Sequence, residues 1–266
     1  MLADLRAGEF IYEQPAANGV EYVFKHALTQ EVAYNSLLIQ RRKLLHERAG
    51  EAVESMFAGH LEDHLDELAH HYSRSDNVEK AIEYLGRAGQ QAIWRSAHAY
   101  AFGTLSASIE LLQSLPDGPE RMRRELPLQL ALGPTLIPVK GWAAPEVESA
   151  YTRARELCGR LGDPPAELFL ALCGLWAVHY NRADLRAAHD IAEQLMHGAQ
   201  NAHNPKRLLV TPRNLLGITL FSLGELLRAR EQFEEAISLY NLDDLGRHRQ
   251  LAHRSTLGDM GVSNLS

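Results

Sequence analysis

The sequence predicts an all-α chain: a solenoid, or helical superhelix, of stacked helix pairs, preceded by a small N-terminal part that carries a β-hairpin. Three observations lead there. Apolar residues recur at helical spacing from about Ala27 to Tyr240, the pattern of helices that bury one stripe. The breaks are short and hold residues that stop helices: "RSDN" at 74–77, "LPDGPE" at 115–120, "LGDPP" at 161–165, "AHNP" at 202–205 and "SLGE" at 222–225. Finally, Val147, Tyr151 and Ala154 recur as Ala188, Ala192 and Leu195, and again as Ala229, Phe233 and Ala236, in steps of 41 residues. Repetition at such a period marks an array of supersecondary units.

Bulk composition narrows the function. The 266 residues suffice for a large buried core, and 45% are hydrophobic and 23% charged, as in ordinary globular proteins. Lys and Arg number 27 against 34 Asp and Glu, a net charge of −7. That balance argues against a dedicated nucleic-acid binder, which draws its affinity from neutralising phosphates. The two cysteines, Cys158 and Cys173, do not make a disulfide framework or a structural zinc site, so a reducing cytoplasm is expected. The apolar run "LFLALCGLWAVHYN", 168–181, is shorter than the ~20 residues that span a bilayer. It reads as a buried helix, and no membrane partner is expected. The N-terminus "MLADLRAGEF" lacks the apolar stretch of a signal peptide.

Taken in order, "GEFIYE" (8–13) and "EYVFKH" (21–26) alternate and are aromatic-rich, joined by a stretch containing Asn18-Gly19; together they predict a hairpin. A hairpin alone is unstable, so it must pack on a helix such as "ALTQEVAYNSLL", 27–38. Ala81, Leu85 and Ala88 form an earlier copy of the repeated set, but off the 41-residue period. An extra or irregular piece is therefore expected around Pro116 to Pro119. Within a copy, Leu216-Gly217 and Leu220 precede Ala229 by the intervals at which Leu68-Ala69 and Tyr72 precede Ala81. Small residues on both helices allow close approach; Leu85 and Phe233 are expected to fill the space where the helices diverge.

These positions resemble the tetratricopeptide repeat, well over 61–94 and 205–240 and less well over 165–200, where Trp176 stands in place of a small residue and Gly174 is expected to compensate. A HEAT-like array competes under the same solenoid logic. "EYVFKHALTQEVAYNSLLIQRRKLLHERAGEAVE", 21–54, resembles a bacterial family of STAND-type signalling ATPases, many of them linked to a class III adenylate/guanylate cyclase domain. In that family this segment closes the winged-helix part of the ATPase module, and a long tetratricopeptide-like region follows. The resemblance implies a winged-helix remnant over 1–56 and helical repeats over 57–266, with "GVSNLS" falling inside a further repeat, as in a truncated array. No Gly-x-x-x-x-Gly-Lys-Ser/Thr phosphate loop is present, so no cofactor is expected in this chain.

Candidate sites follow. The resemblance places His26 where a winged-helix histidine of STAND ATPases contacts the β-phosphate of bound nucleotide; in this chain alone a helix-capping or Tyr22-packing role is the plainer reading. In "HLEDHLDELAHHY", 60–72, His60, His64, Glu67 and His71 recur at i, i+4, i+7 and i+11 and so lie on one helical stripe. Two histidines one turn apart can hold zinc, yet the order lacks the His-Glu-x-x-His arrangement of metalloproteases. A solvated flank is the simpler reading, and no metal site is assigned there. Arg41, Arg42 and Lys43 form either a solvated basic edge or a contact for an acidic partner. No Gly-x-Ser-x-Gly elbow occurs.

The expected function is thus recognition and regulation, without catalysis by this chain. In a tetratricopeptide arrangement Asp63, Asp66 and His70 of the early repeat and Thr211, Asn214 and Ile218 of the late one face a concave groove. That groove would take a peptide, a partner domain or a small effector, and in the parent family would bias the chain's own ATPase/cyclase module. A free-standing adaptor is the alternative, with a metal-binding helical protein using the 60–71 stripe behind it. Nucleic acid is not expected as a partner, because the recognition helix would carry Glu31 and no lysine or arginine.

Overall fold

A computed structural model describes residues 2–16, 19–162, 165–201 and 208–239. Among these the protein is all-α, with twelve α-helices, one short 3-10 helix and a single two-stranded antiparallel sheet. The chain divides into two compact units, 1–84 and 85–266, the division falling inside a helix.

The first unit holds α1 (Leu2–Ala7), β1 (Ile11–Ala16), β2 (Gly19–Phe24), α2 (Ala27–Ser36), α3 (Ile39–Met56), the 3-10 turn Leu61–His64, α4 (Leu65–Tyr72) and the start of α5 (Val78–Trp94). The hairpin exists, with Ile11 opposite Phe24 and Glu13 opposite Tyr22, but it begins three residues later than the sequence pattern suggests. Residues 8–10 are used to end α1 instead: the Gly8 and Phe10 amides donate to Asp4 and Leu5 carbonyls, and Glu9 takes a positive φ of 56°. The expected turn residue Asn18 lies outside the described residues. α2 stops at Ser36, two residues early, because Leu37 and Leu38 turn extended before α3. α3 packs on α4, and their close approach depends on Gly50: a Cβ there would come within 2.8 Å of the Tyr72 ring.

The second unit continues from α5 through α6 (His98–Gln113), α7 (Pro119–Lys140), α8 (Pro145–Leu161), α9 (Pro165–Asn181), α10 (Leu185–Gln200), α11 (Val210–Ser222) and α12 (Leu226–Leu239). From α6 onward each helix packs on the next in sequence, and α7 also touches α9. The repeated apolar positions fall on α8, α10 and α12, the second members of the pairs α7/α8, α9/α10 and α11/α12. Glycines with positive φ end α8 and α11, Gly162 at 86° and Gly224 at 82°, where an L side chain would be strained. The irregular piece expected near Pro116 is resolved as α6 and the start of a 22-residue α7 that runs through Pro127, Pro134 and Pro138. Each of those prolines removes one intrahelical hydrogen bond, while the break in the sequence pattern coincides with the turn at 114–118 between α6 and α7.

Aromatic rings seated on glycines set the spacing between helices. Tyr151 of α8 lies between Gly133 of α7 and Gly174 of α9: a Cβ at either glycine would sit 2.5 Å and 2.4 Å from its ring. Gly174 therefore makes room for the preceding helix, not for Trp176. The Trp176 indole instead donates from Nε1 to Thr219 Oγ1 on α11 at 3.0 Å. Phe233 does not fill a space where helices diverge; its ring covers Gly217, 2.6 Å from where a Cβ would be. These contacts border a core that includes Val147, Tyr151, Val178, Ala192, Leu195, Leu215 and Ala229.

Candidate functional site

The residues expected to share a groove are distributed over both units. In the first, Asp63 lies in the 3-10 turn and Asp66 and His70 on α4, all exposed. In the second, Thr211 and Ile218 are half-buried and Asn214 is 1% exposed. Asn214 is a correction: where α11 packs against α10 and α12 its side chain is buried, so it does not line an open groove, while Thr211 and Ile218 on the same face keep part of their surface.

His26 is the residue before α2, with extended backbone and no side-chain cap; its carbonyl accepts from the Thr29 and Gln30 amides. Its imidazole is exposed. The helix it precedes, α2, buries no residue at all. Leu28, Val32, Leu38 and Ile39, at 71%, 62%, 80% and 64% exposure, leave an apolar surface along and just beyond α2. The neighbouring cations are engaged within the unit: Arg42 lies over the Tyr34 ring at 5.1 Å and Lys43 pairs with Asp76 at 2.6 Å.

The 60–71 stripe does not form. Residues 61–64 wind as a 3-10 turn before α4, with three residues per turn, which takes His60 and His64 off the face of His71. His64 stacks on Phe57, ring centroids 3.6 Å apart, and its Nδ1 lies 3.2 Å from Glu67. His71 instead meets His46 of α3, Nδ1 to Nδ1 at 3.0 Å, with His70 beside them. Nothing in the local spacing points to His46, which is 25 residues away.

Next to it, Glu54 of α3 gathers three donors. Tyr72 Oη donates at 2.8 Å, Tyr84 Oη at 2.5 Å, and Lys80 Nζ closes an ion pair. Burial alone would raise the Glu54 pKa, but the bonds from Lys80, Tyr84 and Tyr72 outweigh it and hold the carboxyl below its ordinary value. Burial also pushes the Tyr72 phenol up to about 12. A carboxylate held ionised beside a Tyr72 phenol held protonated is a fastening and not a proton-transfer pair.

The second unit presents a cleft of about 410 Å³ lined by Gln113, Arg121, Glu125, Gln129, Ser149 and Arg153, from α6, α7 and α8. Arg153 grips Glu125 with two bonds, Nε to Oε1 at 2.7 Å and a terminal nitrogen to Oε2 at 3.0 Å, while Arg121 holds Asp117 at 2.7 Å. Both arginines are thus compensated by carboxylates, Arg153 by Glu156 as well at 3.4 Å, and Gln113, Gln129 and Ser149 complete a polar lining. None of the expected groove residues lines it. Both cysteines are buried, and burial pushes the Cys173 thiol well up, so it stays a thiol and a poor nucleophile. No described helix is long and apolar enough to cross a membrane.

Comparison with known proteins adds fold and context. No protein-family model matches the chain. An uncharacterized protein of Rhizobium meliloti (strain 1021) is 27% identical over 220 residues, 83% of this chain and 21% of that protein; the chain thus spans about a fifth of the length of the curated relative it matches. Among solved structures it is similar to BtubC (BKLC) from P. vanneervenii, with a TM-score of 0.56 at 13% identity, covering 77% of this chain and 91% of that one. At that identity the likeness is one of helical fold.

Proposed function

We propose that the chain is a regulatory recognition module of a multidomain signalling ATPase of the STAND type. In this reading the hairpin and α2–α3 are the end of a winged helix and the paired helices are a tetratricopeptide-like array. The module does no chemistry of its own; it binds its ATPase/cyclase module on one surface and a peptide or small effector on another, in the cytoplasm.

The observation that carries this reading is α2. It lies in the segment that resembles the ATPase family, buries none of its residues, and bares Leu28 and Val32 one turn apart. Contiguous apolar surface of this kind marks a face made to be covered. The polar cleft of α6–α8, lined by Gln113, Ser149 and the paired Arg121 and Arg153, is the candidate second surface. The greater length of the R. meliloti relative accords with a multidomain parent.

The test is calorimetric titration of the 266-residue chain into a STAND nucleotide-binding module, with ADP and then with ATP. A complex whose affinity differs between the two nucleotides is expected, and Val32→Asp should weaken it at least tenfold while leaving the melting temperature unchanged, because Val32 packs on nothing that folding requires. No complex at tens of micromolar with either nucleotide contradicts the proposal.

A further inference from the structure

We propose that His46, His70 and His71 form a three-imidazole site for a divalent transition metal ion of the zinc class, clamping α3 to α4 in the first unit. Their ligand-capable nitrogens all lie within 4.8 Å of one another. This is a different set from the 60–71 stripe and independent of the regulatory reading above.

The fold brings the rings together for a local reason. Gly50 lets α3 approach α4 closely enough for the Tyr72 ring to rest on it. His46 is one helical turn before Gly50, and His71 is the residue before Tyr72, so the same approach brings their Nδ1 atoms to the 3.0 Å already described, with the rings tilted by 47°. Ring centroids are 5.3 Å apart for His46–His71 and His70–His71, and 5.8 Å for His46–His70. In a tetrahedral zinc site with Zn–N of about 2.0–2.1 Å, ligand nitrogens stand roughly 3.3 Å apart. One pair is already that close, and the third ring reaches by a side-chain rotation of the exposed His70.

The surroundings suit ligation. His46 has its other nitrogen, Nε2, 2.9 Å from Tyr34 Oη; a ligating histidine is usually fixed by such a bond on the nitrogen that faces away from the metal. His70 already turns a ring lone pair, that of Nδ1, toward a cation, the Arg74 guanidinium at 3.0 Å. Arg74 is exposed, so a metal ion can take its place. Burial, then neighbouring positive groups, lowers the pKa of His46 and of His70; at His71 burial lowers it against the opposing pull of Glu67. Three imidazoles without thiolate or carboxylate favour zinc, nickel or copper(II) over magnesium or calcium. A fourth position is left to water.

The experiment uses the full 266-residue chain and Zn²⁺ alone. Competition against a chromophoric chelator should show one equivalent bound with Kd below about a micromolar, and Co²⁺ should give visible d–d absorption. His70→Ala removes a solvent-exposed ligand without touching the His46–His71 contact; it should keep the apo circular dichroism spectrum, weaken Zn²⁺ at least tenfold and abolish the cobalt signal. His60→Ala and His64→Ala should change neither. Kd weaker than tens of micromolar overturns the proposal, as does binding that survives His70→Ala or depends on His60 or His64, which would mean an adventitious ion only.

Discussion

The two units hold their helices together by the same contact and then differ in what surrounds it. In the first, Gly50 of α3 seats the Tyr72 ring, and that tyrosine is tied further by Glu54, Lys80 and the stacked ring of Tyr84, with centroids 5.4 Å apart. In the second, Tyr151 is seated on two glycines from two different helices and Phe233 on a third glycine, Gly217, amid leucine, valine and alanine. The first unit thus joins shape to charge at its seated ring, whereas in the second, ion pairs such as Arg153–Glu125 lie away from the seated rings. A junction made by shape tolerates salt and pH but not volume; one made by charge has the opposite weakness.

The largest effect should come from volume in the second unit. Gly174→Ala places a Cβ against a ring that Gly133 blocks from the other side, so it cannot retreat. The helix gains by losing a glycine, about 1 kcal/mol, yet overpacking of this kind costs about 3 kcal/mol, and the variant should unfold at clearly lower urea than wild type. Next comes charge in the first unit. Glu54→Gln removes the charge that Lys80 and two tyrosine hydroxyls meet and should cost about 1 kcal/mol.

The pH dependence of that second variant sharpens the contrast. Because the folded state holds the Glu54 pKa below its ordinary 4.5, the stabilisation is complete above that value and fades as pH falls through the lower folded one. Denaturation between neutral and acid pH should show Glu54→Gln losing less stability on acidification than wild type. Smallest, and opposite in sign, is glycine where nothing is seated. A Cβ at Gly198 on α10, or at Gly103 on α6, would meet no atom within 4 Å. Either alanine should raise stability by about 0.5–1 kcal/mol, a rise of a few degrees in melting temperature.

How far the sequence could be read follows the same division. The second members of the pairs were legible because Val147, Ala188 and Ala229 recur at one interval, and periodicity is what stacking leaves in a sequence. Gly217 was legible as a point of close approach; the placing of Phe233 on top of it was not, since spacing along a helix does not say across which gap a ring points. Asn214 misled because a polar residue on a helix surface suggests exposure, and only the packing of α11 between α10 and α12 shows that this one side chain is buried. The histidine stripe misled because it assumed continuous helix through 60–72, while a 3-10 turn changes the angle per residue after His60. His46 was beyond reach of any local pattern: its partners come from the next helix, through a glycine whose role is visible only in three dimensions.

The central claim is that an aromatic ring pinned between glycines sets the spacing of the paired helices. A double-mutant cycle tests it most directly: chemical denaturation of wild type, Gly174→Ala, Tyr151→Leu and the double variant. If the ring is what the new methyl group strikes, Gly174→Ala should cost at least about 2 kcal/mol less in the Tyr151→Leu background than in wild type. Two costs that simply add would contradict the account.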